Sequence, residues 1–363
     1  MKPVILLLVL FNFCAFSQKK IISYSTYNGL PHNICYGLYQ DNKGYIWIGT
    51  DNGVVKFDGN YFEKKSIDDG LNSNFIIDIS QDYQENILFA TWGGGLNILK
   101  KDTIKIINNH PLRVNKLSKL FLWKNDIISP QPKTNYFSIF KNLKGNYTQN
   151  LVYINYNFNG EIEVSNIFQK SKRNININLS NVKQQLLIHQ STYLRENLVP
   201  LKGVYSYKRN KLKLWKGFLK NEEISLVFKI PFKNYGAFSK NKLLIFDENK
   251  IKAEIPTDFG NSKAVKILVL KDKSYIVLAA DSNGYKTAYL FDEKFNNQRK
   301  VSNLINSDVP ISDILEDKEG NIWISTYGKG VFCLVKTFDF EELKNDILKD
   351  VSVVDITFAK NKT

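Results

Sequence analysis

A ten-residue pattern recurs three times in this chain of 363 residues and constrains its fold more than any other feature. Asp41–Thr50 and Asp317–Thr326 share Asp, Gly, Ile, Trp, Ile and Thr at matching positions. A looser copy, Asp82–Thr91, starts 41 residues after the first. Self-similarity at a fixed period of about 40 residues is the signature of a repeat protein.

Each copy lies inside a longer unit of four short apolar runs separated by turn residues. In the first unit an Asp-x-x-Gly turn follows run 34–39, and an Asp-Gly turn follows run 54–57. Such turns join antiparallel strands, because Asp bonds its own backbone and Gly tolerates positive φ. In the second run Ile46 and Ile48 alternate with Trp47, so both faces of the predicted sheet are apolar and covered.

A four-stranded sheet of about 40 residues, buried on both faces and repeated, is typical of a β-propeller blade. A solenoid is the alternative, but four strands are too many for most solenoid units. The sequence therefore predicts an all-β fold, a β-propeller of four-stranded blades. The length predicts about seven blades.

Two positions inside the repeat carry a structural expectation. The residue before the final Thr is small in every copy (Gly49, Ala90 and Ser325), which predicts that another backbone approaches closely there. Glu85 stands where the other two copies have Gly, so its turn must differ or carry strain.

The blades differ in how clearly the sequence defines them. Clear repeats span 29–66, 70–107 and 309–341, whereas 108–300 holds four or five degenerate blades. We assign 18–363 to one propeller domain, because no Gly-, Ser- or Pro-rich linker divides it. Residues 20–30 match the outer strand and exit of the first blade, 61–71, and therefore predict a first strand that closes the ring by joining the last blade.

The C-terminal segment 351–363 resembles the inner strand of one further, partial blade. Two interpretations are open: this blade lacks its middle strands, or the chain is a fragment of a longer protein. We favour the fragment, which makes the predicted propeller incomplete at its C-terminus.

Residues 1–17 are predicted to be a secretory signal peptide. A basic start precedes an apolar core from Val4 to Phe13, and small residues before Gln18 offer a cleavage site. A lipoprotein anchor on Cys14 is the alternative, but Phe13 occupies a position where such signals need a small residue. The predicted location is periplasmic or secreted.

Composition excludes several classes of function. The formal charge is +15, but only five of the 50 basic residues are Arg, the residue of bidentate phosphate recognition. We therefore expect no nucleic-acid partner, although weak attraction to acidic polysaccharide stays open. The predicted mature chain has two cysteines, Cys35 and Cys333, with no disulfide framework or zinc spacing. No cofactor and no metal site are expected.

The repeats resemble those of the two-component regulator propeller family. The resemblance rests on 29–33 followed by the Asp-x-x-Gly-x-Ile-Trp-Ile-Gly-Thr pattern of 41–59, and on 317–331. It implies a periplasmic sensor region, typically of two seven-bladed propellers followed by an immunoglobulin-like domain, a membrane helix and a histidine kinase or DNA-binding output. It also implies oligosaccharide ligands. On this basis a membrane contact and a kinase activity would belong to absent downstream parts, and the full-length protein could be a homodimer.

Ligand-binding candidates come from the loops expected to share one face of the propeller, namely the entry to each blade and the link between its second and third strands. Flat aromatic rings stack on sugar C–H faces, and polar side chains bind hydroxyls. The candidate ligand-binding residues are His32, Asn33, Asp51, Asn74, Trp92 and Tyr327. The alternatives are loop aromatics packed on the next blade and, for His32, a surface residue. Trp47 and Trp323 are predicted to be core residues.

Three functions remain in competition. The first is a ligand-sensing propeller for an oligosaccharide or another small molecule, with no catalytic residue in this chain. The second is a secreted carbohydrate-active enzyme, sialidase-like or lyase-like, because Asp-x-x-Gly-x-x-Trp resembles the Asp-box turn of sialidases. No arginine cluster or carboxylate pair supports that chemistry. The third is a propeller that binds a protein partner.

Overall fold

The computed structural model describes most of the chain from residue 21 to residue 336. The described residues are 21–107, 116–123, 125–130, 136–143, 146–156, 162–165, 177–182, 185–190, 203–208, 211–230, 234–301, 305 and 309–336. The predicted signal peptide 1–17 and the predicted partial blade 351–363 lie outside them.

The described residues contain 29 β-strands, which we number in chain order. Strand β1 (Ile21–Tyr24) precedes two regular blades. Blade 1 consists of β2 (Cys35–Gln40), β3 (Ile46–Thr50), β4 (Gly53–Phe57) and β5 (Phe62–Lys65). Blade 2 consists of β6 (Ile76–Gln81), β7 (Ile87–Thr91), β8 (Leu96–Lys100) and β9 (Thr103–Ile107).

The middle of the chain supplies the next three sheets. Blade 3 consists of β10 (Phe121–Trp123), β11 (Asp126–Pro130), β12 (Tyr136–Leu143), β13 (Asn146–Tyr156) and β14 (Ile162–Ser165). Blade 4 consists of β15 (Ile177–Val182), β16 (Gln185–Gln190), β17 (Tyr205–Lys208) and β18 (Lys211–Leu214). Blade 5 consists of β19 (Ile224–Lys229), β20 (Tyr235–Ser239), β21 (Lys242–Phe246) and β22 (Ile251–Pro256).

The last two blades complete the ring. Blade 6 consists of β23 (Lys263–Val269), β24 (Tyr275–Ala280), β25 (Lys286–Phe291) and β26 (Arg299–Lys300). Blade 7 consists of β27 (Ile311–Glu316), β28 (Ile322–Thr326) and β29 (Val331–Leu334), together with β1. Three short 3₁₀ helices, η1 (Thr26–Asn28), η2 (Ile67–Asp69) and η3 (Gly217–Leu219), link strands.

The described strands form six hydrogen-bonded sheets, and the eight-stranded one contains both blade 6 and blade 7, joined by the pair Lys286 and Ile311. The described blades therefore number seven, which agrees with the prediction of a propeller of about seven blades. First strands of neighbouring blades face one another, so that β2 lies against β6 on one side and β27 on the other, and β19 lies against β15 and β23. Region 108–300 supplies four of the blades, 3 to 6. Blade 3 departs from the four-stranded rule, because β14 pairs with β13 as a fifth strand.

Ring closure follows the prediction made from residues 20–30. Strand β1 pairs antiparallel with β29, with Ile21 opposite Leu334 and Tyr24 opposite Val331. Blade 7 therefore takes its outer strand from the other end of the described chain. The pairing removes a free edge on β29 that could otherwise pair with another protein.

Both faces of the repeat's second strand are buried against neighbouring blades, as predicted. Trp47 packs in a cluster with Ile76 and Phe89 of blade 2. Ile48 packs in a different cluster, with Trp323 of blade 7. Each fully buried side chain of this size contributes about 1.5–3 kcal/mol. Because successive side chains of β3 point to opposite faces of the sheet, this strand packs against the blades on both sides and holds three consecutive blades together.

The Asp of the repeat is a buried structural residue. In blade 1 its carboxylate, on Asp41, accepts hydrogen bonds from the backbone N–H groups of Lys43 and Tyr45 at 3.0 Å and from Trp47 Nε1 at 2.8 Å. The matching bond from Trp323 Nε1 in blade 7 is also 2.8 Å long. In blades 1 and 7 one aspartate side chain thus fixes both the turn and the core tryptophan.

Blade 2 keeps the Asp but has Leu88 in place of the tryptophan. Its Asp82 carboxylate instead accepts a 2.8 Å bond from Asn86 Nδ2 and a 2.9 Å bond from the hydroxyl of Tyr147 in blade 3. Burial, followed by the bond to Asp82, raises the pKa of Tyr147. The hydroxyl therefore stays protonated and donates across the blade interface.

The two expectations about small and strained positions are confirmed. A Cβ on Gly49 would lie 2.8 Å from the carbonyl oxygen of Ile76, so the neighbouring backbone leaves no room for a side chain. Glu85 adopts φ +63°, in the left-handed region that Gly44 and Gly320 occupy at +95° and +92°. The turn of blade 2 therefore has the same backbone shape as the turns of the other two copies, but a non-glycine residue occupies its left-handed position and is strained there.

Candidate functional site

Loops on one face of the ring are tied together by backbone hydrogen bonds. Trp92 N–H donates to the Phe75 carbonyl at 2.9 Å, and Tyr327 N–H donates to the Pro310 carbonyl at 3.0 Å. Each bond joins the loop after the second strand to the loop that enters the same blade. The two kinds of loop therefore share one face, which we call the entry face, as expected.

Five aromatic side chains form a continuous arc across this face. Their ring centroids are separated by 6.2 Å, 4.7 Å, 5.7 Å and 6.0 Å in succession. We call this row the aromatic arc; in order it consists of Trp92, Phe75, Tyr36, Tyr327 and Tyr285. It crosses blades 2, 1, 7 and 6. All five side chains keep accessible surface, and Tyr285 is 53% exposed.

Polar groups border the aromatic arc. The hydroxyl of Tyr36 donates to Asp51 Oδ1 at 3.2 Å. Burial of the ring, followed by the negative charge of Asp51, raises the pKa of Tyr36, so the hydroxyl stays protonated. Asp51 itself is exposed and keeps acceptor capacity for a second donor.

A cavity of about 250 Å³ lies at the blade 6 end of the aromatic arc. Tyr285, Asp281, Lys286, Lys300 and Pro310 are among its lining residues. The cavity is therefore polar, with one aromatic wall. It lies between blades 6 and 7, where β25 and β27 share the single residue pair Lys286 and Ile311.

Three of the predicted site residues lie together in the structure, and the other three make structural hydrogen bonds in nearby loops. Trp92 and Tyr327 belong to the aromatic arc, and Asp51 bonds to its central tyrosine. The remaining candidates, His32, Asn33 and Asn74, lie in the blade-entry loops and bond to the backbone there.

The two asparagines have matching structural contacts. Asn33 Oδ1 accepts from Thr26 N–H at 2.9 Å, and Asn74 Oδ1 accepts from Ile67 N–H at 2.8 Å. These donors are the first residues of η1 and η2. Each asparagine therefore fastens the exit of one outer strand to the entry of the next blade. Asn74 Nδ2 also donates to Asn52 Oδ1 at 3.2 Å.

His32 is half-buried and accepts a 3.1 Å bond at Nδ1 from Ile34 N–H. This bond requires the proton of the neutral imidazole to sit on Nε2. A role in ligand binding stays a prediction for all six residues, and the contacts above define what each one does in the folded chain.

Three members of the aromatic arc are not among the predicted site residues. Tyr36, Phe75 and Tyr285 do not occupy one shared position of the repeat, so the pattern carries no signal for them. Only their packing shows that they extend the row begun by Trp92 and Tyr327.

Within the part of the chain that the structure describes, no cluster of three or more His, Cys, Asp or Glu side chains has a geometry for holding a metal. Searched over the same residues, no helix is both long and apolar enough to cross a membrane. Cys35 and Cys333 are buried free thiols, and burial raises the pKa of each to about 12.

Comparison with solved structures identifies related propellers. The extracellular domain assigned to the hybrid two-component system BT3049 from B. thetaiotaomicron is 17% identical with a TM-score of 0.60; the match covers 87% of this chain and 42% of that one. The extracellular domain assigned to the one-component system BT4673 from the same organism is 16% identical with a TM-score of 0.59, covering 88% and 44%. This chain thus spans less than half the length of these two structures.

An enzyme has a similar fold. Virginiamycin B lyase from Staphylococcus aureus is 10% identical with a TM-score of 0.59, and the match covers 88% of this chain and 99% of the lyase. No curated protein matches the sequence significantly. At these identities the structural matches establish the propeller fold alone.

Two segments of the sequence match a family model. Residues 29–52 and 304–328 match the model described as two component regulator propeller. The first segment enters blade 1 and the second enters blade 7, and these two blades are neighbours through β2 and β27. The two segments that match the two component regulator propeller model therefore lie on the two neighbouring blades next to the closure of the ring.

Proposed function

We propose that this chain is an extracytoplasmic ligand-sensing propeller of a two-component-type signalling protein, and that it binds an oligosaccharide along the aromatic arc. The family repeats and the likeness to extracellular domains of Bacteroides signalling systems support the sensor role. The predicted signal peptide supports export. Transmission of a signal requires that the ligand bind two states of the whole protein with different affinity.

The single observation that supports an oligosaccharide as the ligand is the aromatic arc itself. Five accessible rings run across four blades with Asp51 and Asp281 beside them. Sugar rings present apolar C–H faces that pack on aromatic rings, and hydroxyls that donate to carboxylates. An extended row of rings favours a linear oligosaccharide over a compact small molecule.

The structural use of the carboxylates that the repeat supplies supports a non-catalytic role. Asp41, Asp82 and Asp317 are buried in turns and hydrogen-bonded to backbone or core groups. The aromatic arc offers stacking surfaces and hydroxyl recognition, and the carboxylates beside it are those of Asp51 and Asp281. The lyase likeness is the specific observation for the competing function, an enzyme, and it is tested in the same experiment.

The experiment is a binding and turnover assay with the purified chain and a panel of neutral and acidic oligosaccharides. We expect a saturable rise in melting temperature with one class of glycan and no change in the glycan itself by mass spectrometry. Trp92→Ala and Tyr327→Ala should each weaken binding about tenfold or more, the loss expected for a central stacking residue. Tyr61→Ala is the matched control, because Tyr61 is 77% exposed and lies at the opposite end of blade 1.

Three outcomes would overturn the proposal. Glycan cleavage or elimination would favour the enzyme. Binding that survives both arc substitutions unchanged would remove the arc as the site, and the absence of any glycan binding would favour a protein partner.

A further inference from the structure

A cluster of five charged side chains lies inside the ring, and one of them, Lys286, also lines the cavity at the blade 6 end of the aromatic arc. The first strands of blades 2, 6 and 7 each contain a β-bulge, and the first paired residue after the bulge is charged: Asp78, Lys266 and Asp313. In blade 1 the corresponding residue is Gly37, where a Cβ would lie 3.0 Å from the Cα of Asp78. The bulges therefore place these three charges at one level of the ring interior.

Two further lysines join the same cluster. Lys119 precedes β10, and the next residue, Leu120, donates its N–H to Asp78 Oδ2 at 2.6 Å. Lys286 begins β25 and its amino group donates to the carbonyl of Ser312, next to Asp313. We call these five residues (Asp78, Lys119, Lys266, Lys286 and Asp313) the axial cluster. Each member shifts the pKa of others, so their charges act on one another.

The axial cluster carries one more positive charge than negative. Lys266 pairs with Asp313 and donates to the Ile314 carbonyl at 2.9 Å. Asp313 Oδ2 accepts from Leu38 N–H at 3.2 Å. Among the described residues no hydrogen-bond acceptor contacts Lys119 Nζ, which instead lies 5.5 Å from the ring centroid of Phe121. An ammonium group has three donors, so Lys119 keeps all three and Lys286 keeps two.

Four of the five side chains in the cluster are accessible to solvent. Lys119 is exposed and Asp78, Lys266 and Lys286 are half-buried, although all lie within the ring. Crowding by the surrounding protein, followed by the positive charge of Lys266, lowers the pKa of Lys119 to about 8. An unpaired ammonium beside a second one is unfavourable, and an anion would relieve this repulsion.

We propose that the axial cluster is a binding site for a small oxyanion, held by Lys119 and the free donors of Lys286 and Lys266. The shared chemistry is a sulfate, phosphate or carboxylate group, either as a free ion or on an acidic sugar. This site borders the aromatic arc through Lys286. None of its five members belongs to the arc, and the proposal does not depend on the oligosaccharide proposal. Because the pKa of Lys119 is lowered to about 8, we expect binding to be stronger below pH 8 than above it.

The test measures anion affinity by calorimetry and by melting temperature, at millimolar concentrations and constant ionic strength set with NaCl. The probes are sodium sulfate, sodium phosphate and sodium glucuronate, with glucose as the neutral control. We expect a saturable response to at least one of the three anions. A response to sulfate or phosphate identifies a free oxyanion as a ligand, and a response to glucuronate alone identifies an acidic sugar.

Three variants make the result specific. Lys119→Met should weaken anion binding about tenfold or more, since it removes one charge-assisted contact. Asp78→Asn should strengthen binding, because it removes a negative charge that repels the ligand. Lys43→Met is the control, because Lys43 is exposed in the turn of blade 1. The proposal is overturned if no anion gives a saturable response, or if Lys119→Met binds like the wild type in a folded protein.

Discussion

The ring of Tyr24 lies stacked on the indole of Trp323, with centroids 5.7 Å apart and an interplanar angle of 11°. Tyr24 belongs to β1 and Trp323 to β28, so the contact reinforces closure with side chains as well as backbone. Phe57 and Phe62 of blade 1 also contact Tyr24, with centroids at 5.2 Å and 5.6 Å.

Truncation of this tyrosine should loosen the closure. We expect Tyr24→Ala to lower the free energy of unfolding by about 2 kcal/mol, because a half-buried ring and its aromatic contacts are lost. Urea denaturation followed by fluorescence measures it. Tyr27→Ala is the control, since Tyr27 is 97% exposed. Equal midpoints for the two variants would show that the stacking adds nothing.

The bond between Asp317 and Trp323 should be energetically coupled. Asp317→Ala leaves the buried Trp323 Nε1 without its acceptor, and we expect a loss of about 2–3 kcal/mol. Phenylalanine at position 323 has no hydrogen-bond donor. In the Trp323→Phe background, Asp317→Ala should therefore lower the free energy of unfolding by at least about 0.5 kcal/mol less than it does in the wild type. Denaturant titration of the four proteins in the cycle gives the coupling energy. Strict additivity would contradict the hydrogen bond. The pair Asp41 and Trp47 offers an independent repeat of the measurement, because its bond is equally long.

Glu85 is a site where a substitution should stabilise the protein. Glu85→Gly relieves a non-glycine residue at φ +63°, and we expect a gain of about 0.5–1 kcal/mol. The converse change, Gly44→Ala, should cost about 1 kcal/mol. A Cβ at Gly44 meets no atom within 4 Å, so this cost reports backbone conformation alone. Thermal unfolding distinguishes the two, and a destabilised Glu85→Gly would mean that the side chain has a role beyond the turn.

Close contact between blades 1 and 2 at Gly49 should make even a methyl group costly. For Gly49→Ala we expect a loss of about 1–3 kcal/mol, because its Cβ would overlap the Ile76 carbonyl and side chain. Gly217→Ala is the matched control, since a Cβ there meets nothing within 4 Å and φ is not positive. Similar melting temperatures for the two variants would be evidence against tight packing of the blades.

The axial cluster should give the protein a recognisable pH dependence. Burial, followed by the charge of Asp313, raises the pKa of Asp78 to about 6, whereas the Leu120 N–H, Lys119 and Lys266 act in the opposite direction. In the unfolded chain the carboxyl loses its proton near pH 4, so between pH 4 and 6 the folded state binds more protons and stability falls as pH rises. Asp78→Asn removes this contribution to the pH dependence. The difference in free energy of unfolding between the variant and the wild type should therefore shift in favour of the variant by about 1–2 kcal/mol from pH 4 to pH 6.

Chemical denaturation at half-unit steps of pH from 4 to 7 measures this difference. The asparagine keeps an oxygen acceptor for Leu120 N–H, so the comparison isolates the charge. Parallel stability curves for the two proteins would show that Asp78 titrates like an ordinary surface carboxyl.

Much of the architecture is predictable from the repeat because its residues have local tasks. Each feature of the repeat indicates one contact. The Asp-x-x-Gly pattern indicates a turn, the alternation around Trp47 indicates packing on both faces, and the small residue at position 49 indicates close approach of the next blade. Closure by β1 is predictable for the same reason, since 20–30 matches 61–71. The fifth strand of blade 3 carries no such signal, because the turn and core residues of the repeat are replaced there.

Functional positions are less predictable because they depend on neighbours that differ from blade to blade. Trp92 and Tyr327 share a place after the same Thr and could be identified. Tyr36 and Tyr285 join them only through packing across blade boundaries. The charges at positions 78, 266 and 313 share a register after a β-bulge, and a bulge shifts the alternation from which inward and outward positions are inferred.

The pairing of β1 with β29 also sets an order for biosynthesis. A nascent chain that emerges from its N-terminus presents β1 long before the partner strand has been made, so the first strand must wait unpaired while the intervening blades form. Closure is then the most non-local step of folding, and any product that stops before Val331–Leu334 keeps an open ring with an exposed strand edge.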